Sequence, residues 1–206
     1  MKSSICLIRH GITEGNLRRL YYGYTDIPLA NIGVDELVEL AEAGTYPVSD
    51  SADFYTTGLI RTEQTFFLIY GNKEHDRIEE LREINFGDFE MKSYEELKEI
   101  PEYITWIEDK SGQLRAPGGE SIRGFAERIA GGFAELRKRH ALKELSMRHK
   151  EEEALSIVVC HGGTIAAIME NVFPGEKDNF FMWTPEPGHG YILKLEDGRI
   201  VGSESF

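Results

Sequence analysis

Apolar and polar positions along the chain follow two rhythms. Short unbroken apolar runs, bounded by glycine or charge, read as buried strands. Ser156 to Cys160 is the clearest of these, and Ile5 to Arg9 is another. Asp53 to Thr57 reads as a further strand and Ile78 to Leu81 as a short one. Tyr191 to Leu195 and Arg199 to Gly202 read as a hairpin turning at Glu196-Asp197-Gly198. The second rhythm is helical. Asn31 to Ala43 places Val34, Leu37, Val38 and Ala41 on one face, with Asn31 as a candidate N-cap. Leu59 to Tyr70 predicts a helix that Gly71-Asn72 ends. Ser93 to about Asp109 looks helical but is interrupted at Pro101. Glu120 to about Arg139 predicts a long helix with Ile122, Phe125, Ile129, Phe133 and Leu136 at helical spacing, and its continuation toward Lys150 stays open. Gly163 to Val172 reads as the next helix.

Strands separated by helices predict a three-layer α/β fold, with a mostly parallel central sheet covered by helices on both faces. No repeat, low-complexity tract or linker divides the chain, so residues 1–206 read as one domain. The segment from about 86 to 119 interrupts the alternation and is the candidate small cap.

Composition narrows the partners. Twenty-three Lys and Arg against 36 Asp and Glu give a net charge of -13. That balance argues against nucleic acid and against anionic membranes as main partners. It leaves room for a small anionic substrate, because a few arginines in a cleft set the local field. No apolar run is long enough to span a membrane and no signal peptide precedes Arg9, so the expected location is the cytoplasm. Cys6 and Cys160 lie in strand-like runs and read as buried reduced thiols, with a redox pair as the alternative. Oligomeric state is not legible.

The candidate chemistry lies where elements end. Arg9-His10-Gly11 closes the first strand, and the run continues through Thr13 to Asn16. Open α/β sheets bind ligands at such strand ends. Arginine can hold a phosphate, and glycine lets it approach backbone N–H groups. Downstream follow Arg61 in the first turn of a helix, then Leu81-Arg82-Glu83 through Gly87-Asp88-Phe89-Glu90. Pro117-Gly118-Gly119-Glu120-Ser121 comes next, and Cys160-His161-Gly162-Gly163 last. Glu120 and Ser121 read as a helix start. No His/Cys/Asp/Glu cluster has a familiar metal-ligand spacing.

This ordered set resembles the histidine phosphatase superfamily, the phosphoglycerate-mutase-like fold, in its branch of small phosphatases. The likeness runs from Ile5 to about Tyr191 and includes Gly23 through Leu29 and Gly33. It implies that His10 attacks phosphorus and carries a phosphohistidine. Arg9 and Arg61 would grip the phosphoryl oxygens, Asn16 would donate an amide N–H, and His161 would add a donor that acts best when protonated. Glu83 would be the general acid, with Glu79, Glu80 and Glu90 as nearby rivals. No metal and no cofactor are implied. Thr13, Tyr22, Gly23 and His189 are candidate substrate contacts.

Two departures stand out. Thr57-Gly58 replaces the usual Ser-Pro or Ser-Asp, and Met91 follows Glu90 where the family has glycine. The expected activity is a metal-independent phosphomonoesterase acting on a small phosphorylated metabolite. The alternatives are a cofactor-dependent mutase and a non-catalytic phosphoanion-binding protein. Only about 33 positions separate Phe86 from Gly119, which leaves little room for the longer lid of a mutase. Tyr21, Tyr22, Tyr24, Tyr94, Tyr103 and Trp106 could line a pocket for a ring-shaped group. Lys92, Lys98 and Arg115 could meet a second anion. Ordinary packing and solvation are the competing readings for both sets.

Overall fold

The computed structural model describes residues 2–150 and 152–206. A six-stranded sheet forms the centre. Its strands are β1 (Lys2–Arg9), β3 (Asp53–Thr56), β4 (Asp76–Arg77), β6 (Ala154–Cys160), β7 (Gly190–Glu196) and β8 (Arg199–Ser205), in the order β4-β3-β6-β1-β7-β8. Strands β4, β3, β6 and β1 run parallel, whereas β7 runs antiparallel to both its neighbours, β1 and β8. The mixed, mostly parallel α/β sheet is the expected architecture.

Period-two alternation splits the core into two. Ile5, Leu7, Val158 and Cys160 face one way, packing with Phe125, Ile129, Phe133 and Leu136 of α6 (Ile122–Met147) and with Ile165 and Met169 of α7 (Gly162–Val172). Cys6, Ile8, Ile157 and Val159 face the other way, toward Leu37 of α2 (Asn31–Glu42) and Phe66 of α3 (Ile60–Tyr70). Both cysteines are fully buried and free, and burial pushes both thiols far above their ordinary pKa.

Several local expectations are corrected. Ile78–Leu81 is not a strand: β4 ends at Arg77, and Glu79–Leu81 forms a 3₁₀ turn that buries Leu81. Asn31 is the first helical residue of α2, and Ala30 caps it without a side-chain bond. Pro101 does not interrupt one helix but starts another. Helix α4 (Tyr94–Leu97) ends before it, and α5 (Pro101–Ile107) has the proline in its first turn, where a missing N–H costs nothing. Ser121 caps α6 by accepting from Gly124 N.

Helix α6 continues to Met147 because its far end is not wholly solvated. His140 lies 3.0 Å from Ser3 Oγ and 2.9 Å from Ser156 Oγ, and Ser3 donates to Glu144 at 2.6 Å. A small antiparallel pair, β2 (Leu20–Tyr21) with β5 (Lys92–Ser93), anchors the segment beyond Phe86. Met91, just before β5, holds φ 60 and donates to Tyr21 O at 2.7 Å. The methionine therefore takes the left-handed conformation that a glycine would adopt without steric cost, about 1–2 kcal/mol for other residues. Among the described residues no helix is long and apolar enough to cross a membrane.

Candidate active site

The site forms where the parallel strands end. His10 follows β1, His161 follows β6, and Arg61 opens α3 after β3. His10 is buried, and its Nδ1 lies 2.7 Å from Gly11 O. A carbonyl can only accept, so Nδ1 carries the proton and Nε2 keeps its lone pair. Burial first, then Arg61 and Arg9, hold the His10 pKa well below 6.5. The two imidazoles stand 5.3 Å apart, centroid to centroid.

Arg61 is fully buried. Its Nη1 donates to Thr25 O at 3.0 Å and its Nη2 to Gly23 O at 2.6 Å. Arg9 Nη1 donates to Pro185 O at 2.6 Å. Burial lowers both arginine pKa values, yet a guanidinium stays charged in a protein. The carbonyls orient each fork and leave Nε free: Arg9 Nε, Arg61 Nε and His161 Nδ1 are buried without a partner among the described residues.

His161 Nε2 lies 2.9 Å from Thr57 Oγ1. Burial first, then Arg61, His10 and Arg9, hold its pKa well below 6.5, so the expectation of a protonated His161 is replaced by a neutral one. Thr57, one of the departures in sequence, thus supplies the hydroxyl that orients this imidazole.

Glu83 lines a cavity together with Arg9, His10 and Asn16. Its carboxylate accepts from Ile84 N at 3.0 Å and from Gly163 N at 2.8 Å. Desolvation outweighs these two N–H groups and the arginines, so its pKa is raised above 4.5. Gly163 has no room for a side chain, because a Cβ there would lie 2.5 Å from Glu83 Oε1.

Asn16 Oδ1 accepts from Thr13 N at 3.0 Å, which fixes the amide so that its NH₂ is the free end. Thr13 is buried; it caps α1 (Glu14–Leu17), and its hydroxyl lies 2.7 Å from the Tyr22 hydroxyl. Tyr22 lines the cavity, and the Arg61 guanidinium lies 5.1 Å from its ring centre.

Gly23 and His189 act through the backbone instead of touching the cavity. Gly23 O receives Arg61, and a Cβ on Gly23 would lie 1.7 Å from Ile84 O. His189 Nδ1 lies 3.1 Å from Pro187 O, while its own carbonyl accepts from Arg9 N at 2.9 Å.

The sequence reading missed the outer supports. Glu90 Oε1 accepts from Gly23 N and Tyr24 N at 2.9 Å and from Phe86 N at 3.1 Å, and Oε2 accepts from Thr25 N at 2.8 Å. It thereby holds the two carbonyls that hold Arg61. Arg128 Nη1 donates to Glu80 O at 2.7 Å and Arg82 O at 2.9 Å, and its Nη2 donates to Glu83 O at 3.2 Å. Glu120 clasps Arg128 and accepts from Asn85 N at 2.9 Å, so the pair pins the Glu83 loop as well as starting α6.

Comparison with known proteins shows the family. The profile of the histidine phosphatase superfamily (branch 1) matches residues 5–204. An uncharacterized phosphatase PhoE of Bacillus subtilis is 27% identical over 180 residues, 85% of this chain and 80% of its own. A 2,3-bisphosphoglycerate-dependent phosphoglycerate mutase of Parvibaculum lavamentivorans is 26% identical over 213 residues, 99% of this chain and 96% of its own. The structure of a putative alpha-ribazole-5'-P phosphatase from Escherichia coli superposes with TM-score 0.77 at 21% identity, covering 99% of this chain and 94% of that one. Matched along nearly its whole length, the chain belongs to the histidine phosphatase superfamily, branch 1.

Proposed function

We propose that this protein is a phosphomonoesterase that works through a phosphohistidine on His10. One observation carries the reading: two buried guanidinium donors without partners, Arg9 Nε and Arg61 Nε, and the unpartnered His161 Nδ1 flank a neutral imidazole whose Nε2 is free. Buried orphan donors cost about 1–3 kcal/mol each, and a phosphoryl group would recover that cost. When the Thr57 hydroxyl donates to His161 Nε2, the imidazole N–H sits on Nδ1, where a phosphoryl oxygen can accept it. Asn16 adds its amide N–H. The positive charge is in place before the ester arrives, which is electrostatic preorganisation.

In the first step His10 Nε2 bonds to phosphorus, the ester P–O bond breaks, and the Glu83 proton passes to the leaving oxygen. In the second step the Glu83 carboxylate takes a proton from water. The water oxygen then bonds to phosphorus, the N–P bond breaks, and phosphate leaves.

The supporting test is phosphate release from a panel of monoesters in the presence of a metal chelator. Chelator-resistant turnover is expected; phosphate exchange dependent on bisphosphoglycerate, without net release, would point to a mutase instead. The pH profile should be a bell with its maximum on the acidic side of neutral. The alkaline limb is Glu83 ionising above the ordinary carboxylate value, because burial raises it. The acid limb is loss of the ester's second ionisation, at about pH 6, with His10 protonating only lower still. Glu83→Gln should remove the alkaline limb and slow alkyl phosphates by about 10²–10⁴-fold. It should slow nitrophenyl phosphate far less, since that leaving group departs without a proton. Equal losses on both substrates would exclude Glu83 as the acid.

Gly163→Ala should lower kcat on the order of tenfold or more, by pushing the Glu83 carboxyl from its seat, while KM changes little. A KM effect alone, in steady-state kinetics, would contradict that placement.

A further inference from the structure

The cavity above His10 extends well beyond a phosphate, to about 660 Å³. Its outer walls are Leu20, Phe86, Trp106, Ile122, Phe125 and Phe180. Among the described residues lining it, Arg9 is the one lysine or arginine. The cations that could have met a second anion are elsewhere. Lys92 donates to Asp88 O at 2.6 Å, Lys98 pairs with Glu95, and Arg115 is exposed.

The cavity wall instead carries Asp109. The Ser111 hydroxyl at 2.6 Å and Leu114 N at 2.7 Å hold this carboxyl below its ordinary pKa, so it is ionised. A leaving group with a second phosphate or carboxylate would meet like charge and apolar walls here.

One polar group in the apolar wall has no partner. Trp106 is 8% exposed and lines the cavity, and its indole Nε1 is buried and unbonded. The other tryptophan, Trp183, donates its Nε1–H to Glu170 Oε2 at 3.1 Å. Buried indole N–H groups usually find an acceptor.

We infer that this cavity is a leaving-group site for an uncharged, ring-shaped moiety bearing a hydrogen-bond acceptor. Trp106 reads the acceptor, and Asp109 turns away a second anion. The inference rests on the phosphomonoesterase reading and specifies its substrate class. Flat rings fit between the aromatic walls, and an acceptor on the ring would relieve the orphan N–H.

The experiment compares kcat/KM for naphthyl phosphates, the isomeric quinolinyl phosphates and 3-phosphoglycerate in wild type, Trp106→Phe and Asp109→Asn. The ring esters should exceed 3-phosphoglycerate by at least about a hundredfold. Trp106→Phe keeps an aromatic wall and removes the donor. It should cost at least one quinolinyl isomer about tenfold more than it costs naphthyl phosphate. Asp109→Asn should raise turnover of 3-phosphoglycerate severalfold without helping naphthyl phosphate. A wild-type preference for 3-phosphoglycerate overturns the inference, as does a Trp106→Phe loss equal on all ring esters. Failure to release phosphate from any ester would instead overturn the underlying phosphomonoesterase reading.

Discussion

His10→Ala is expected to abolish phosphate release, with a loss on the order of 10⁴-fold or more, and to leave the fold intact. The reason is local. The substitution removes the one buried nitrogen lone pair that the hydrogen bond to Gly11 O leaves free for attack. Loss of a covalent nucleophile is among the largest single effects known in catalysis. Arg9, Arg61 and Asn16 remain, so on the proposed mechanism the variant should still bind inorganic phosphate. Acid-labile phosphate trapped on wild type, and absent from His10→Ala, would identify the intermediate. Release undiminished in the variant would sink the mechanism.

Arg61→Lys should be nearly as damaging, lowering kcat/KM by about 10³–10⁵-fold although the charge is kept. Arg61 is held by Gly23 O and Thr25 O through two separate nitrogens, which leaves Nε in a fixed direction. A lysine ammonium is a point charge on a flexible stem and cannot serve both carbonyls and the phosphoryl group in that geometry. Steady-state kinetics with circular dichroism as the folding control would check this. A loss below about tenfold would mean that the guanidinium fork has no part in the reaction.

The parts of the site that were legible in the sequence all sit at boundaries of regular elements. Arg9-His10 and His161 end apolar runs, and Arg61 opens a periodic one, so local pattern marks their positions while the ordered resemblance supplies their roles. The supports were not legible because their contacts are long-range and made to backbone. Glu90 reaches residues 23–25, and Arg128 reaches the carbonyls of Glu80, Arg82 and Glu83. Neither interaction leaves a signature at its own position. Thr57 shows the same blindness in another form: in the sequence it is only a departure from the family pattern, while its hydroxyl lies 2.9 Å from His161 Nε2.

Within the fold, Ile78 drew the short strand into the wrong place. Its side chain is buried, but the two-residue pairing of β4 with β3 lies just before it. The outer end of α6 stayed open in the sequence because Arg137, Lys138 and Arg139 are all charged. His140 and Glu144 turn inward to meet Ser3 and Ser156, a polar contact that charge counting cannot anticipate.

The sheet order has a consequence for the way the protein comes into being. Strand β1 is synthesised first, yet both its neighbours come late: Cys6 pairs with Ile157 on one side and with Ile192 on the other. A nascent chain therefore carries His10 through more than 140 further residues before either flanking strand is present. Closing such distant contacts is slow, and unpaired strand edges invite aggregation meanwhile. Activity should appear during refolding only with the last cooperative phase, when β7 docks and His189 O captures Arg9 N.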